Sequence, residues 1–428
     1  MLRVLHTSDW HLGHTLRGEV SREPEHAAFL AWLLETCVRE AADALVITGD
    51  IFDSATPPAS AERMWFELLA SARRAQPALD VIAIAGNHDS PSRLGASAAV
   101  LRELGVHVIG GVPRCADGTI DHARVLIPIG GGRGLVAAVP FVRPIDVVGV
   151  SDDALAAIYA EVMVGARRAR RADQALIVTG HLYAAGADAQ FLSERRVSVG
   201  GQESASLRMF PAEISYVALG HIHRAQRIGR DTIRYAGAPL PLSLDEASYP
   251  HQVVAVDFDG PEVAQIRSLP IPRSVEIVRV PARGTAPLAE VLAQLGALPT
   301  AAGTAAEPWT RPYLEVAIAL ERPEPKLRTL VEAALDGKWP RLIQLHVLAT
   351  GDGAALGDRV VAQRLAELDP RDVFARLWAR DHAEPPDASV RLGFEELLAE
   401  VQGDRVDPAL GRELMREPGR EPGADLVS

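Results

Sequence analysis

Short apolar runs that end in polar residues recur through the first half of the chain. The runs are four or five residues long and mostly β-branched, and they occupy residues 4–7, 44–48, 81–85, 175–179 and 216–219. Such runs are typical of strands that are buried on both faces of a sheet. A polar motif follows each run directly, so the pattern predicts strands whose carboxyl ends all carry candidate functional loops.

Helical periodicity alternates with these strands up to about residue 270. Phe29, Leu30 and Leu33 lie at helical spacing and predict a helix over residues 26–39. Further helices are predicted at 59–75 and 91–104, and further strands at 136–139, 233–236 and 253–258. Alternation of this kind indicates an α/β fold in which two packed sheets are flanked by helices.

A hinge is predicted at Pro270-Ile271-Pro272, since two prolines this close cannot continue a helix or a central strand. Beyond it, strands at 275–280, 313–320 and 341–348 and helices at 288–295 and 326–335 predict a small α+β unit. The sequence therefore predicts one domain over residues 1–270 and a second over residues 275–350.

A helical segment is predicted at 355–402, where Asp369 and Pro370 provide a helix start and an apolar stripe contains Phe374 and Trp378. The composition from residue 403 to 428 has little apolar content and is typical of a disordered tail.

The composition is that of a globular protein with two or three domains. The 428 residues are 48% hydrophobic and 23% charged, and no run approaches the roughly 18 apolar residues of a membrane span. Met1-Leu2-Arg3 leads straight into a predicted strand, without the apolar stretch of a secretory leader. We therefore expect a cytoplasmic protein. Cys37 and Cys115 make neither a disulfide framework nor a metal site.

The net charge of −12 argues against a protein that grips nucleic acid over its whole surface. It does not exclude a nuclease, because carboxylates around a metal site add negative charge and a partner can supply a basic groove. Arg167, Arg168, Arg170 and Arg171 resemble a phosphate-binding patch. A solvated helix face is the favoured interpretation of this cluster.

The polar motifs at the strand ends together supply seven side chains suited to binding metal ions. The motifs are Asp9-Trp10-His11, Gly49-Asp50, Gly86-Asn87-His88-Asp89, Gly180-His181 and Gly220-His221-Ile222-His223. In open α/β sheets, the loops that leave the carboxyl ends of the strands converge on one crevice. A lone histidine at a strand end is more often structural, but five such motifs in one chain predict a single site.

The candidate ligands combine nitrogen and oxygen atoms and include no thiolate; they are Asp9, His11, Asp50, Asn87, His181, His221 and His223. This mixture suits manganese, iron or zinc better than calcium. The two carboxylate oxygens of Asp50 are well suited to bridging two ions. Two ions about 3.5–4 Å apart stabilise both the attacking and the leaving oxygen of a phosphoryl centre, so the pattern predicts hydrolysis of a phosphate ester.

His88 and Asp53 are the candidate catalytic residues. His88 adjoins the candidate ligand Asn87, and we predict that it donates a proton to the leaving oxygen or stabilises charge in the transition state. Asp53 lies three residues after Asp50, where it could orient His88 and favour its protonated form. Capping of the following turn is the alternative for Asp53. The histidines outside the motifs, His14 among them, are expected to be structural.

The motif series resembles that of the calcineurin-like metallophosphoesterase superfamily. Within it, the chain closely resembles the bacterial SbcD-type nuclease subunits of the DNA double-strand-break repair nucleases. The likeness extends beyond the ligands to residues 5–13, 26–35, 218–226, 234–243 and 365–370. It covers about residues 1 to 380, most densely in the first 250.

This resemblance implies one ion held by Asp9, His11, Asp50 and His223, and a second held by Asp50, Asn87, His181 and His221. His88 would be the catalytic histidine. Archaeal and eukaryotic relatives commonly carry histidine at the position of Asp53, whereas the bacterial form carries aspartate, so the role of Asp53 is not copied from the former.

The same resemblance implies a manganese-dependent DNA nuclease of repair, recombination and replication. It would be a 3′–5′ double-strand exonuclease and a single-strand endonuclease that opens hairpins. The implied partners are DNA ends and hairpins, an SbcC-type SMC-like ATPase and a second copy of the chain, with a nucleoid-associated location. The unit at 275–350 would be a capping domain. The helix with Phe374 and Trp378 would dock on the ATPase, although packing on its own domain explains the stripe equally well.

Other functions remain open on the residues alone. Protein phosphatases of the same superfamily usually carry arginine where Ser54 follows Asp53. Cyclic-nucleotide phosphodiesterases lack the later segments, and secreted nucleotidases need a leader. A noncatalytic metal-bound scaffold is a further class, which the complete ligand set and His88 disfavour.

Overall fold

The computed structural model describes residues 1–143, 154–188, 204–301 and 306–350, together with Phe374, Trp378, Val390 and Phe394. The strands are β1 Leu2–Thr7, β2 Thr15–Leu16, β3 Val20–Ser21, β4 Ala44–Thr48, β5 Asp80–Ile84, β6 Val106–Ile109, β7 Leu126–Ile129, β8 Gly134–Ala137, β9 Ala175–His181, β10 Tyr216–Gly220, β11 Gln226–Ile228, β12 Arg230–Tyr235, β13 Gln252–Asp259, β14 Glu262–Pro270, β15 Ile277–Val280, β16 Ala286–Pro287, β17 Tyr313–Leu320 and β18 Arg341–Ala349. The helices are α1 Glu23–Arg39, α2 Ala59–Ala75, α3 Pro91–Gly95, α4 Ala98–Arg102, α5 His122–Val125, α6 Ala154–Ala169, α7 Leu288–Gly296 and α8 Leu327–Ala334. Short 3-10 helices occupy Leu207–Met209, Leu244–Ser248 and Pro308–Thr310.

Two six-stranded sheets form the first part of the fold. Their strand orders are β14-β13-β1-β4-β5-β6 and β11-β12-β10-β9-β8-β7. The neighbours β1, β4, β5 and β6 pair in parallel, as do β8, β9, β10 and β12. The carboxyl ends of the central strands in each sheet therefore lie at one edge.

Side chains alternate between two cores along the central strands. Val4 packs in a core between the sheets with Val46 and Ile177, whereas Leu5 faces the opposite way into a core shared with α1 and α2. A third core lies between the second sheet and α6. This layering confirms the predicted α/β fold of two packed sheets flanked by helices.

Most predicted elements recur with shifted ends. The helix predicted at 59–75 coincides with α2, and the predicted strand at 313–320 coincides with β17. The single helix predicted at 91–104 is wrong, because the chain forms α3 and α4 with a break between Gly95 and Ala98. Gly95 and Ser97 are weak helix formers, and apolar spacing alone did not reveal the interruption.

The α+β unit after β14 has its own sheet and core. Strand β17 pairs with β15, β16 and β18, all in parallel. Helices α7 and α8 cover this sheet through Val291, Leu295 and Val331. Residues Met1–Thr350 nevertheless form one compact unit, so the chain packs continuously across the predicted hinge.

Gly351–Ser428 form a second unit, of which four positions are described. Phe374 stacks on Phe394 with ring centroids 4.2 Å apart, and it lies 5.9 Å from the Trp378 ring. These contacts show packing inside this unit. The remainder of the predicted segments 355–402 and 403–428 lies outside the described residues. Among the helices that are described, none has the length and apolar character needed to cross a bilayer.

Candidate metal centre

Two clusters of buried side chains lie at the carboxyl ends of the central strands. The ligand atoms within each cluster lie within 4.8 Å of one another. The first cluster is Asp9, His11 and His223, and the second cluster is Asp50, His181 and His221. The structure thus brings together six of the seven predicted ligands, from the ends of β1, β4, β9 and β10.

The seventh predicted ligand, Asn87, lies beside the second cluster. Its Oδ1 is 2.9 Å from His181 Nε2 and 3.0 Å from His221 Nδ1. One carbonyl oxygen therefore faces two imidazole nitrogens. These three atoms can converge on a common cation, which would accept the lone pairs of all three.

Asp50 lies between the two clusters. Its Oδ2 is 3.7 Å from His11 Nε2 and 3.3 Å from His181 Nε2, and its Oδ1 accepts a hydrogen bond from the His88 backbone N–H at 2.8 Å. Burial alone would raise the pKa of Asp50, but the imidazoles of His181 and His11 lower this pKa below its usual range. Burial would likewise lower the pKa of His181, but the Asp50 carboxylate raises it to about 9. A cation bound by His181 would displace that proton.

Four of the predicted ligands have unusual backbone conformations. Positive φ angles occur at Asp9 (54°), His11 (49°), Asp50 (48°) and His221 (99°). Such angles in residues other than glycine cost about 1–3 kcal/mol each and concentrate at functional sites. Contacts between strand ends hold them, since the His11 N–H donates to the Asp50 carbonyl at 3.0 Å and the His221 N–H donates to Asp9 Oδ1 at 3.0 Å.

The glycines before the ligands let the backbone pass close to ligand side chains. A Cβ on Gly86 would lie 2.1 Å from Asp50 Oδ1, and a Cβ on Gly49 would lie 2.3 Å from His181 Nδ1. Gly49 also has a φ of 93°, which side chains disfavour. The Gly-Asp and Gly-Asn spacings therefore reflect the tight packing of neighbouring strand ends.

Hydrogen-bond acceptors fix the ring orientation of three candidate ligands. The Nδ1 atoms of these histidines donate to Thr48 O (from His181, 2.8 Å), Glu246 Oε1 (from His223, 3.1 Å) and Asp53 Oδ1 (from His11, 3.1 Å). Each ring is thereby left with Nε2 as its ligand atom. Among the described residues, His11 Nε2 is buried without a hydrogen-bond partner. A cation would satisfy this atom.

The Asp53 carboxylate does not orient His88 as predicted. Its Oδ1 hydrogen-bonds with His11 Nδ1 and, at 3.0 Å, with His14 Nδ1. Burial alone would raise the pKa of Asp53, but these two hydrogen bonds lower it. His88 Nδ1 donates instead to the backbone carbonyl of Asp53 at 2.8 Å. The turn after β4 thus directs the carboxylate toward the end of β1, and His14 is part of the site's surroundings.

His88 itself lies at the exposed rim of the centre. Its ring centroid is 4.8 Å from that of His11, in an edge-to-face arrangement. The structure therefore places the predicted catalytic histidine beside the candidate ligands, in a position that a substrate can reach.

Asp89 and Glu246 support the site but were not predicted to do so. Asp89 accepts backbone N–H groups from Gly86, Phe52 and Ile51 at 2.8, 2.9 and 3.2 Å. It thereby joins the loop after β5 to the loop after β4. Burial and the nearby Asp50 carboxylate raise the pKa of Asp89. The sequence signal for Asp89 is its position in the motif Gly86-Asn87-His88-Asp89, whereas no local motif marks Glu246.

The arginine cluster at the end of α6 lies near the amino end of β9, away from the metal centre. Arg167 Nε donates to Glu213 Oε1 at 2.8 Å, Arg170 Nη1 donates to Glu213 O at 3.0 Å, and Arg171 Nη2 donates to Gly132 O at 2.8 Å. These contacts give three of the four arginines structural partners. Arg170 and Arg171 follow the end of α6 at Ala169, and the interpretation of the cluster as a solvated helix face stays a prediction.

The donor set fits two divalent cations. Buried carboxylates, an amide oxygen and oriented imidazoles make up the set, and His11 Nε2 has no hydrogen-bond partner among the described residues. Such a set at the strand ends of a two-sheet sandwich is typical of a metal-dependent phosphoesterase.

Comparison with known protein families supports the assignment to the metal-dependent phosphoesterases. Residues 2–225, more than half of the chain, match the family model described as calcineurin-like phosphoesterase. Residues 273–382 match the model described as Type 5 capsule protein repressor C-terminal domain.

Curated relatives extend the likeness. The SbcD subunit of nuclease SbcCD from Rhodobacter capsulatus is 40% identical over 87% of this chain and 94% of that protein. The SbcD subunits from Bacillus subtilis and Escherichia coli K12 are 38% and 34% identical, over 61% and 63% of this chain and 68% of each of those proteins. The chain belongs to the calcineurin-like phosphoesterase family. Within that family, it belongs to the group of SbcD nuclease subunits.

Proposed function

We propose that the chain is the metal-dependent nuclease subunit of an SbcCD-type complex and hydrolyses phosphodiester bonds of DNA. The observation that carries this proposal is the pair of ligand clusters around Asp50, in a chain that covers 94% of a relative named as the SbcD subunit of nuclease SbcCD. The fold supplies a phosphoesterase site, and the relatives' names supply the substrate class.

Two divalent ions are proposed, one at Asp9, His11, Asp50 and His223 and the other at Asp50, Asn87, His181 and His221. Bound there, they would supply Lewis acidity and neutralise charge at a phosphoryl group. Nitrogen and oxygen ligands without thiolate suit manganese, iron or zinc, and manganese is the proposed metal because the resemblance to the SbcD-type nucleases implies it. The chain's own part is to hold Asp50 ionised between the clusters and to fix the ligand nitrogens of the imidazoles.

His88 is the residue that we propose to act on the reacting group. Its Nδ1 is occupied by the Asp53 carbonyl, which leaves Nε2 for contact with substrate. A proton on Nε2 can pass to the leaving oxygen or stabilise charge on the phosphoryl group. Asp53 contributes by positioning both His88 and His11.

The finer properties of the family are part of the proposal. The chain would act as a 3′–5′ double-strand exonuclease and as a single-strand endonuclease on hairpins, with an SbcC-type ATPase and a second copy of itself, in the cytoplasm at the nucleoid. Residues 1–270 would be the nuclease domain and 275–350 a capping domain. Residues 355–402 would bind the ATPase, and 403–428 would be a tail.

Cleavage of an end-labelled duplex closed by a hairpin tests the proposal. The full-length chain is assayed with Mn²⁺, alone and with its ATPase partner, and excess EDTA serves as the metal-free control. We expect His88→Ala to lower the cleavage rate by about 10²–10⁴-fold, the usual contribution of a general acid. His107→Ala, in β6 away from the centre, is the matched control and should retain activity.

Unchanged cleavage by the His88→Ala variant would refute the catalytic role of His88. Hydrolysis of mononucleotides without any cleavage of DNA would refute the nuclease proposal and favour a nucleotidase. Full activity in EDTA would refute the metal centre.

A further inference from the structure

The short helix Leu244–Ser248 carries a buried carboxylate that contacts the metal centre. Glu246 is 0% exposed. Its Oε1 accepts from His223 Nδ1 at 3.1 Å, and its Oε2 accepts from the Leu242 backbone N–H at 2.9 Å. A buried carboxylate is costly unless it is hydrogen-bonded. Both of its oxygens are used here as acceptors, which fixes the side chain between the ligand and the loop.

The same loop also reaches His11, the other imidazole of the first cluster. The Leu242 carbonyl accepts from His14 Nε2 at 3.0 Å. His14 Nδ1 and His11 Nδ1 both bond Asp53 Oδ1, at 3.0 and 3.1 Å. The segment 241–246 therefore supports both imidazoles of the first cluster, one through Glu246 and the other through His14 and Asp53.

The α+β unit also contacts segment 241–246. Arg279 on β15 donates from Nη2 to the Leu244 carbonyl at 3.2 Å, and its Nε lies 2.5 Å from Glu315 Oε2 on β17. The segment is thus bonded to the unit that follows the predicted hinge.

A second link runs through helix α1. Tyr313 on β17 donates to Glu25 Oε2 at 2.5 Å, and Glu25 accepts from Arg22 Nη2 at 2.9 Å. Arg22 Nη1 in turn donates to the Pro241 carbonyl at 2.7 Å. Arg22 is 1% exposed, so this chain of contacts is buried.

The second cluster is supported differently. His181 Nδ1 donates to the Thr48 carbonyl at the end of β4, and His221 follows β10 directly. These supports belong to the two-sheet sandwich. The contact between His181 and Thr48 does not involve segment 241–246.

We infer that segment 241–246 is a positioning element through which the α+β unit sets the geometry of the first metal site, with Glu246 as the positioning residue for His223. This inference rests on the proposed two-metal function. It predicts that loosening the segment weakens binding of the ion at the first cluster and leaves binding at the second cluster unchanged.

Counting bound Mn²⁺ on the full-length chain tests the role of Glu246. Glu246→Gln is informative because His223 and the Leu242 N–H now donate to different oxygens, and an amide has an acceptor oxygen at only one of these two positions. We expect this variant to bind one ion as tightly as the unaltered chain and the other about 10–100-fold more weakly, as for lost partners of ligand histidines. Isothermal titration gives the affinities, and electron paramagnetic resonance shows whether the two Mn²⁺ ions remain spin-coupled. Glu262→Gln, on the exposed start of β14, is the matched control.

The link to the α+β unit is tested by Arg279→Met, which removes the donors and keeps the apolar stem. Arg328→Met, at an exposed arginine of α8 paired with Glu332, is the control. We expect Arg279→Met to lower the affinity for the same Mn²⁺ ion whose binding Glu246→Gln weakens. In the double variant, the fold-loss of affinity for that ion should be smaller than the product of the two single fold-losses, because both changes act through one segment.

The outcomes separate the two proposals. If the unaltered chain binds fewer than two ions, the two-metal function fails. If it binds two and Glu246→Gln also binds two with unchanged affinities, the role of Glu246 is refuted. If Glu246→Gln does not fold, Arg279→Met alone decides, and unchanged affinities in that variant overturn the inference. Strictly multiplicative effects would refute coupling through the segment.

Discussion

Replacement of Gly86 by alanine probes how closely the strand ends must approach to hold Asp50. The new Cβ would lie 2.1 Å from Asp50 Oδ1 and 2.4 Å from the Asp50 backbone nitrogen. Ordinary van der Waals contact begins at 3.4 Å, so the carboxylate oxygen must retreat by about 1.3 Å. Because the second atom is backbone, rotation of the side chain alone cannot relieve the clash.

The expected cost appears in two measurements. Overpacking of this kind destabilises a fold by about 1–3 kcal/mol, which denaturant unfolding without added metal will show. Displacement of a site residue by about 1 Å lowers catalysis about 100-fold, which the Mn²⁺-dependent hairpin assay will show. Spin coupling between bound Mn²⁺ ions should weaken as well, since Asp50 lies between the two clusters.

Gly95→Ala is the matched control, nine residues farther along the chain. Among the described residues, no atom beyond its chain neighbours and its own helix backbone lies within 4 Å of the added Cβ, so we expect unchanged cleavage and a stability gain of up to about 1 kcal/mol. Normal cleavage and normal metal binding by Gly86→Ala would refute the argument that close packing of the strand ends positions Asp50.

Two further predictions concern the interior of the fold. Burial raises the pKa of Cys37 to about 12, whereas Cys115 is exposed. A thiol reagent at pH 8 should therefore modify only Cys115 rapidly in the native chain and both cysteines after denaturation. Rapid modification of both in the native chain would contradict this. The buried hydroxyl of Tyr235 donates to the Leu182 carbonyl at 2.7 Å and accepts from the Ala184 N–H at 2.9 Å. Tyr235→Phe should lower the free energy of unfolding by about 1–3 kcal/mol for each group left unpaired. An unchanged denaturation midpoint would refute the importance of these bonds.

The strand ends and the ligand types could be predicted because both are local in sequence. A continuous apolar run marks a strand buried on both faces, and parallel pairing brings the carboxyl ends of β1 and β4 to one edge of the first sheet and those of β9 and β10 to one edge of the second. Asp9 must then lie near Asp50, and His181 near His221, while packing of one sheet on the other brings the two pairs together. No knowledge of side-chain rotamers is needed for that step.

The direction of an individual side chain could not be predicted in the same way. Asp53 is three residues from Asp50 in sequence, which suggested a contact with His88, yet its carboxylate reaches His11 and His14 from another strand end. The rotation of a residue in a turn depends on local φ and ψ values that apolar periodicity does not encode. Glu246 was missed for a related reason, since its partner His223 lies 23 residues away with no repeating pattern between them.

The candidate ligand motifs therefore underdetermine the metal centre. An acceptor on one ring nitrogen of a histidine orients the other toward a cation, and the acceptors of His181, His11 and His223 are the Thr48 carbonyl, Asp53 and Glu246. The first is backbone and comes with the strand, so any chain with this sheet retains it. The other two are side chains that substitution can remove while every ligand motif stays intact. A chain with all five motifs but no acceptor at positions 53 and 246 would keep His181 oriented and lose the orientation of both imidazoles of the first cluster.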